Sequence, residues 1–296
     1  MPTMRKGVLF ATTAYIIWGF YPIYFKALQS VPAFQIMTHR VVWCFIFLVL
    51  LVIFRRDLPG LRSAATPRTL LIYLAAGAIL SINWFIYIWG VNAGFVVETS
   101  LGYFINPLFS VLLGVVFLGE RMRPAQWVSV GLAALGVAYL TISYGSLPWI
   151  ALSLAGTFGL YGLINKTGPL DSLPGLVFET GLIFLPAIGF LVFEEVHGAG
   201  SFGHMGWGIS LLLVLCGIVT GGPLLLFTGG IRRVPLTTMG LLQYISPTIQ
   251  ILIGVYLYGE PFQQARIIGF GIIWMALLIY TLEGFIKGRK PALAPT

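Results

Sequence analysis

Long apolar runs separated by short polar connections make up almost the whole chain. A helix crosses the roughly 30 Å hydrocarbon core of a bilayer with about 20 predominantly apolar residues. Ten runs have about this length: Gly7–Ala27, Ala33–Phe54, Leu70–Ala93, Thr99–Leu118, Ala125–Ser143, Leu147–Asn165, Pro174–Phe193, Trp207–Gly230, Leu236–Tyr258 and Gln263–Ile286. The pattern predicts an all-α integral membrane protein with ten transmembrane helices.

The composition supports this class and removes others. Of the 296 residues 58% are hydrophobic and only 9% are charged, whereas about a quarter of the residues in a soluble domain are charged. The net charge of +8 would suit nucleic-acid binding, but so apolar a chain has little soluble surface for a basic patch. We therefore expect the lipid bilayer, and no nucleic acid, as a partner. Cys44 and Cys216 lie inside predicted spans and the three histidines do not cluster in the membrane, so no cofactor or metal is expected.

The basic residues predict the orientation of the spans, because cytoplasmic connections carry an excess of Lys and Arg. With the N-terminus inside, fourteen of the seventeen basic residues are cytoplasmic: Arg5, Lys6, Arg55, Arg56, Arg62, Arg68, Arg121, Arg123, Lys166, Arg232, Arg233, Lys287, Arg289 and Lys290. Lys26 and Arg266 lie outside, and Arg40 lies within a span. Both termini are therefore predicted to be cytoplasmic.

The two halves of the chain are related by a constant offset of 140 residues. Between residues 101 and 141, eleven positions are identical to their counterparts, where about three are expected from composition. Each half, 1–143 and 144–296, contains five predicted spans. Because five is odd, the second half enters the membrane from the opposite side. Inverted repeats around a central substrate site are a transporter architecture; the alternative is a duplicated bundle without a transport path.

Polar residues form two stripes inside the spans, and the repeat relates them. Each stripe follows one face of a helix, and each contains a proline, Pro107 or Pro247, that frees a backbone carbonyl. The stripes are Tyr103, Asn106 and Ser110 on the fourth span, and Gln243, Ser246 and Gln250 on the ninth. Polar contacts between helices would explain one stripe, whereas two related stripes favour a shared central cavity.

Three more spans contribute to this prediction. The first and sixth spans carry counterparts that include Trp18, Tyr21 and Tyr161, and the third span carries Asn83, Trp84 and Tyr87. With Tyr103, Asn106 and the ninth-span stripe, these are the predicted substrate-binding residues. The eighth span contains Gly221-Gly222-Pro223, which predicts an unwound segment or hinge.

Ionisable residues within a span are functional candidates by default. Arg40 lies seven residues into the second span beside His39. We expect Arg40 to bind an anionic group of the substrate or to form a gate with Glu98, and a permanent structural ion pair is an equal alternative. His39 is a candidate proton carrier, although a lone histidine more often satisfies a local hydrogen bond.

Several motifs resemble those of one transporter family. They are Thr38-His39-Arg40-Val41-Val42-Trp43, Asn83-Trp84, Ser100-Leu101-Gly102-Tyr103-Phe104-Ile105-Asn106-Pro107, Phe117-Leu118-Gly119-Glu120 and Gln243-Tyr244-Ile245-Ser246-Pro247-Thr248. Over essentially its whole length the chain resembles RarD-type members of the EamA family in the drug/metabolite transporter superfamily. The resemblance implies two inverted five-helix repeats, a bacterial inner-membrane location and a central cavity lined by spans 1, 3, 4, 6, 8 and 9.

We therefore expect a secondary-active or facilitative transporter that exports small polar or aromatic metabolites, such as amino-acid-like compounds or drugs, by alternating access. A flippase for lipid head groups or lipid-linked substrates is the alternative. A membrane-embedded enzyme is a weaker one, because the sequence shows no nucleophile–base pair or metal cluster. The expected partners are a small-molecule substrate and, as coupling ions, protons. Facilitated diffusion is equally compatible with the sequence, as are a monomer and a homodimer.

Overall fold

The computed structural model describes residues 2–93, 95–144, 147–259 and 264–288, and the regular structure in these ranges is helical. The helices are α1 Pro2–Gly19, α2 Tyr21–Lys26, α3 Ala33–Phe54, α4 Leu58–Ala64, α5 Pro67–Asn92, α6 Val96–Leu118, α7 Pro124–Tyr144, α8 Trp149–Thr167, α9 Ser172–Val196, α10 Trp207–Ile231, α11 Leu236–Gln243, α12 Ile245–Leu252 and α13 Gln264–Gly288, with a π-helical segment, Ile253–Leu257, after α12. Every predicted span corresponds to one helix or to two consecutive helices.

Within the described residues, eight segments are long and apolar enough to cross a membrane. They are Thr3–Lys26, Ala33–Phe54, Pro67–Tyr87, Leu101–Leu118, Pro124–Ser143, Ser172–Val196, Trp207–Ile231 and Leu236–Leu257. The described part of α13 adds a shorter apolar stretch, Ile267–Glu283. The remaining predicted span is α8, Trp149–Thr167, which is not among these eight segments. The chain is thus an all-α, multi-pass membrane protein.

Successive long helices run in opposite directions, so their termini gather at two ends of the bundle. One end holds the start of α1, the α3–α5 and α6–α7 connections and the end of α10, and it carries most of the basic residues of the described chain. Glu120 beside Leu236 and Arg232 beside Gly168 show that these connections meet. We call it the basic end, and we call the other end, where Gln35 binds Ser201, the opposite end.

Prolines interrupt the first and ninth predicted spans. Pro22 follows the break between α1 and α2 at Phe20, and Pro247 follows the break between α11 and α12 at Tyr244. A proline nitrogen cannot donate to the carbonyl four residues earlier, so Pro22 frees the carbonyl of Trp18 and Pro247 that of Gln243. The ninth span is further distorted by the π-helical segment.

The eighth span is not unwound at the predicted segment, and the alternative of a hinge there stays a prediction. Helix α10 is continuous from Trp207 to Ile231 and contains Pro223. A Cβ at Gly221 would lie 2.8 Å from the ring of Phe47 on α3. Gly221 therefore serves close packing of two helices, and Gly222 with Pro223 stays within the helix.

The helix contacts follow a two-fold pattern. Helices that occupy corresponding positions in the two halves pack on each other: α3 on α9, α6 on α11 and α7 on α13. Each remaining major contact has a counterpart in which the two halves are exchanged. The contact of α1 with α10 corresponds to that of α8 with α5, and the contact of α1 with α12 corresponds to that of α8 with α6. Helix α7 packs on α13 and α6, and helices α1, α5, α6, α8, α10 and α11 form a core around Tyr15, Tyr161 and Phe227.

Candidate functional site

A cavity of about 410 Å³ lies between the two halves, within the usual size range of small-molecule sites. Its wall is formed by α1–α3, α5, α6, α8 and α10–α12. Ten of the eleven predicted substrate-binding residues line it: Trp18, Tyr21, Asn83, Trp84, Tyr87, Tyr103, Asn106, Gln243, Ser246 and Gln250. The polar stripes therefore converge on one cavity.

Two side chains of the wall satisfy carbonyls that prolines have freed. The amide of Gln250 donates to the carbonyl of Trp18 at 3.1 Å, the group exposed by Pro22. The hydroxyl of Tyr21 donates to the carbonyl of Val219 at 2.6 Å, four residues before Pro223. In a bilayer such groups need a partner within the protein. These polar residues thus hold the broken helices in place as well as lining the cavity.

Arg40 places a positive charge in the cavity wall. It lies seven residues into α3, about 10 Å along the helix axis. Its Nε donates to Oγ1 of Thr220 at 3.2 Å, and its guanidinium stands 4.9 Å from the ring centre of Trp84 and 5.2 Å from that of Phe25. Among the described side chains it has no carboxylate within salt-bridge distance. Aromatic faces attract a cation but leave its hydrogen-bond donors free for an anion.

Two asparagines of the cavity wall differ in whether their side-chain amide groups have hydrogen-bond partners. The amide of Asn83 donates to the carbonyl of Leu154 at 2.9 Å and to Oγ1 of Thr157 at 2.8 Å, which joins α5 to α8. The buried Oδ1 of Asn106 has no hydrogen-bond partner in the structure. A buried acceptor without a partner is costly. Asn106 can therefore accept a hydrogen bond from a molecule in the cavity.

Tyr161, the eleventh predicted residue, does not line the cavity. It is fully buried beneath it, and its ring stacks on Phe227 with centres 6.2 Å apart. Its hydroxyl donates to Oε2 of Glu179 at 3.1 Å, and Asn165 donates to Oε1 at 3.0 Å. The ring lies one helical turn closer to the basic end than the cavity residue Phe158, which explains why its spacing suggested a wall position.

The predicted charge and gate residues Arg40 and His39 face in different directions. Arg40 faces the cavity, whereas the neighbouring His39 points away from it and packs against Phe202 with ring centres 5.5 Å apart. The side chain of Glu98 lies outside the described residues, so its predicted gate with Arg40 stays a prediction. In the described chain, no group of three or more His, Cys, Asp or Glu side chains is placed to hold a metal ion.

Polar contacts close the cavity toward the basic end. The two carboxylate oxygens of Glu120 accept from the backbone N–H of Leu236 at 2.6 Å and of Thr237 at 2.9 Å, at the start of α11. Lys166, 3.9 Å from Glu120, donates to backbone carbonyls at the end of α10, and Arg232 donates to those at the end of α8. We call Glu120, Lys166 and Arg232, with the backbone groups they bind, the basic-end clasp.

Several wall residues lie outside the predicted set of site residues, among them Phe25, Phe158 and Thr220. Phe25 and Phe158 supply aromatic surface, and Thr220 holds Arg40. Thr220 carried a detectable signal, because it is a polar residue in a strongly apolar span. The phenylalanines did not, because aromatic residues are common in membrane helices and only the rotation of each helix decides which ones face the cavity.

Known proteins share both the sequence and the fold. The chain matches the EamA-like transporter family twice, over residues 5–142 and 147–282. It is 45% identical over 284 residues to the uncharacterized transporter YojE of Bacillus subtilis, covering 94% of each chain. It is 41% identical over 290 residues to Protein RarD of Escherichia coli, covering 97% of each chain. A solved crystal structure with 19% identity superposes with a TM-score of 0.72, covering 94% of this chain and 98% of that one.

The two family matches fall on the two halves of the chain and together span nearly all of it. Its relatives at more than 40% identity are bacterial and match over almost their full length. The cavity between the halves is where such a protein would hold its cargo. The chain belongs to the EamA-like transporter family and is a transporter rather than an enzyme.

Proposed function

We propose that the chain exports small aromatic solutes that carry a carboxylate, amino-acid-like compounds among them, by alternating access across a bacterial inner membrane. Ten spans form two inverted five-helix repeats, and the substrate binds in the cavity between them. The observation that carries the proposal is Arg40, a cation in an aromatic wall with unused donors.

The packing of repeat counterparts supports the inverted architecture. A Cβ at Gly19 would lie 2.7 Å from Ile249, and one at Gly159 would lie 2.9 Å from Phe109. The offset of 140 converts one contact into the other with the halves exchanged. Two copies related by a two-fold axis in the membrane plane make such reciprocal contacts.

The basic residues support the orientation. The basic end carries the arginines and lysines that the positive-inside rule places in the cytoplasm, and α1 begins there. The cavity lies nearer to the opposite end, because the lining residue Phe25 is next to the last residue of α2. Toward the basic end the cavity reaches Tyr15 and Leu80, each 13 residues into its helix, and Leu224 and Gln243, each seven residues from the basic-end limit of its helix, or about 10 Å along the axis. The conformation described is thus outward-facing in this orientation.

The wall chemistry indicates the substrate class. The rings of Trp18, Trp84 and Phe158 offer flat apolar surface, and aromatic solutes pack well on such faces. Arg40 offers a charged donor for a carboxylate. The unpaired Oδ1 of Asn106 accepts an N–H or O–H group. A compact aromatic molecule with one carboxylate and one donor satisfies all three features.

Flux measurements in proteoliposomes test the role of Arg40. We would load vesicles with a pool of aromatic carboxylates and their neutral amide counterparts, phenylacetate with phenylacetamide and indole-3-acetate with indole-3-acetamide, and follow their release. A charge-assisted hydrogen bond contributes about 1.5–3 kcal/mol, so Arg40→Gln should lower carboxylate flux roughly 10- to 100-fold. The neutral amides form no charge-assisted bond with Arg40, so their flux should fall much less.

The control removes a charge near the opposite end outside the cavity. Lys26 lies over the ring of Tyr258 and does not line the cavity, so Lys26→Gln should leave the ratio of carboxylate to amide flux unchanged. Equal losses for acids and amides in Arg40→Gln would refute substrate binding by Arg40. If Glu98→Gln reproduced such equal losses, the gate interpretation would replace it. Absence of flux for every solute in the wild type would contradict the proposed substrate class.

A further inference from the structure

A buried carboxyl group lies beneath the cavity and has no part in its wall. Glu179 is the eighth residue of α9, inside a membrane span, and is 1% exposed. A Cβ at Gly77 of α5 would lie 2.8 Å from its backbone oxygen, so helices α5 and α9 seal it closely. Ionisable groups at such depth are expensive in a membrane and mark ion pathways more often than structure.

Both hydrogen-bond partners of Glu179 are neutral. Tyr161 donates to Oε2 at 3.1 Å and Asn165 donates to Oε1 at 3.0 Å. Both partners can also serve a protonated carboxyl, because a tyrosine hydroxyl can accept the acid proton while the amide still donates to the carbonyl oxygen. The site therefore accommodates the carboxyl group with and without a proton and holds it in place in both states.

Neighbouring helices supply no charge that neutralises Glu179 among the described residues. The titratable groups that interact with it are Tyr161 on α8, Cys44 on α3 and Tyr73 on α5. Two cations lie beside its partner Asn165: Lys166, the next residue, and Arg232, which donates to the Asn165 carbonyl. Cys44 is a buried thiol and Tyr73 bonds a backbone carbonyl. The two cations bind backbone carbonyls of the clasp, and neither is within 4 Å of the Glu179 carboxylate. An ionised carboxylate here is uncompensated.

Glu179 is linked through its two hydrogen-bond partners to the cavity floor and to the basic-end clasp. Through Tyr161 it reaches Phe227 and Phe158, and Phe158 forms part of the cavity floor. Through Asn165 it reaches the clasp, because the carbonyl of Asn165 accepts a bond from Arg232 at 3.1 Å. Opening the basic end would separate these contacts and admit water to the carboxyl group.

We propose that Glu179 is a proton-binding site of the transport cycle. The inference rests on the alternating-access function proposed above. While the basic end is closed and dry, the carboxyl group holds a proton on one oxygen and is neutral. When that end opens, water solvates the carboxylate and accepts the proton on that side. One proton thus binds or leaves per change of state, and acid pH favours the closed basic end.

Infrared difference spectroscopy detects this proton without a transported solute. Wild-type protein in lipid vesicles is titrated from about pH 5 to about pH 9, and the spectrum of Glu179→Gln is subtracted. We expect a carbonyl stretch of a protonated acid that disappears as the pH rises and is missing from the variant. Tyr161→Phe removes a donor to the ionised form and should move the midpoint to higher pH. A wild-type spectrum without an acid band that depends on Glu179 would overturn the proposal.

Thiol labelling measures the coupling to opening. With Cys44 and Cys216 replaced by alanine, Ala76→Cys provides a buried reporter between the cavity floor and the basic end. Because the thiolate is the reacting form, each labelling rate is divided by that of free cysteine at the same pH. A single coupled proton changes this corrected rate by up to about tenfold per pH unit, with slower labelling in acid. Glu179→Gln should abolish this dependence. The matched control Glu195→Gln, at the exposed end of α9 on the opposite end, should keep it.

These outcomes separate the two proposals. A pH dependence of the corrected labelling rate that survives in Glu179→Gln refutes the proton site whatever the flux assay shows. An acid band and a pH-dependent reporter in a protein that moves none of the aromatic probes would support the proton site and refute only the proposed substrate. If Glu179→Gln fails to fold, Tyr161→Phe carries the test, because a structural role for the pair would lower stability without moving the titration midpoint.

Discussion

Removal of the Glu120 carboxylate should release the basic end. Glu120 lies in the α6–α7 connection, directly after Gly119, which caps α6 in a left-handed conformation with φ 61°. Both of its oxygens accept backbone N–H groups at the start of α11. Those groups have no partner within their own helix, and the positive end of the helix dipole adds to the attraction. The substitution Glu120→Ala leaves both N–H groups without a protein partner.

The size of the effect follows from the two bonds. Each is short and charge-assisted, and such bonds contribute about 1.5–3 kcal/mol. Lys166, at 3.9 Å, adds little because loose ion pairs contribute less than about 1 kcal/mol. Water replaces part of the loss once the end opens, so we take the lower limit for both bonds, about 3 kcal/mol, or roughly 100-fold in the open-to-closed ratio. Glu120→Gln, whose amide oxygen can keep one bond, should lose about half of this free energy.

The Ala76→Cys reporter converts this ratio into a rate. Ala76 is fully buried, so a membrane-impermeant maleimide reaches the thiol only when the basic end opens. In vesicles sorted by orientation, labelling from the basic side should accelerate roughly 100-fold in Glu120→Ala and roughly 10-fold in Glu120→Gln. Glu195→Ala removes a carboxylate from the exposed end of α9 at the opposite end and serves as the charge-matched control.

Two results would refute the reasoning. Labelling in Glu120→Ala at the parental rate would show that the carboxylate does not hold the basic end closed. Equal acceleration in Glu195→Ala would show that the reporter follows overall charge or loss of stability. Melting curves of all variants detect a loss of stability. General unfolding would also expose the thiol to label from both sides of the membrane.

Two further predictions concern packing and a loop. Gly217→Ala should lower the melting temperature clearly, because its Cβ would collide with the backbone carbonyl of Trp43, whereas Gly131→Ala, with nothing within 4 Å, should be neutral or stabilising by up to about 1 kcal/mol; thermal unfolding in detergent measures both. Gln35→Ala should make the loop 197–206 sensitive to protease added at the opposite end, because Gln35 binds backbone groups of that loop at 2.8 and 3.0 Å; an unchanged cleavage rate would show that other contacts hold the loop.

The sequence predicted the helices and most of the polar side chains of the cavity wall for one physical reason. Polar side chains in lipid must face other protein or a cavity, so the stripe around Asn106 and its counterpart around Gln243 had to turn inward. Their convergence followed from the repeat. Arg40 could be identified in the same way, because a lone arginine within a span is rarely exposed to lipid.

The structure differs from the sequence predictions where the rotation of a helix, or a contact with residues far away in the sequence, determines the position of a side chain. Tyr161 has the spacing of a wall residue but lies one turn too deep, and the sequence does not specify that rotation. The Gly221-Gly222-Pro223 break was predicted from residue types, yet close packing on α3 explains the small residue at Gly221 without unwinding. The binding of Glu120 to the start of α11 joins residues 116 apart, and no local pattern indicates such a pair.

The hydrogen bond from Tyr244 to the carbonyl of Phe104, at 3.1 Å, joins two residues that are counterparts in the proposed repeat. In an ancestral pair of identical five-helix chains, every mutation at this position would have appeared twice and faced itself. Gene fusion removes that restriction. One copy now carries a hydroxyl that needs an acceptor, while the other keeps a plain phenyl ring packed on Phe270. The axis of such a protein is therefore where duplication first permits the two halves to diverge in chemistry while keeping a common shape.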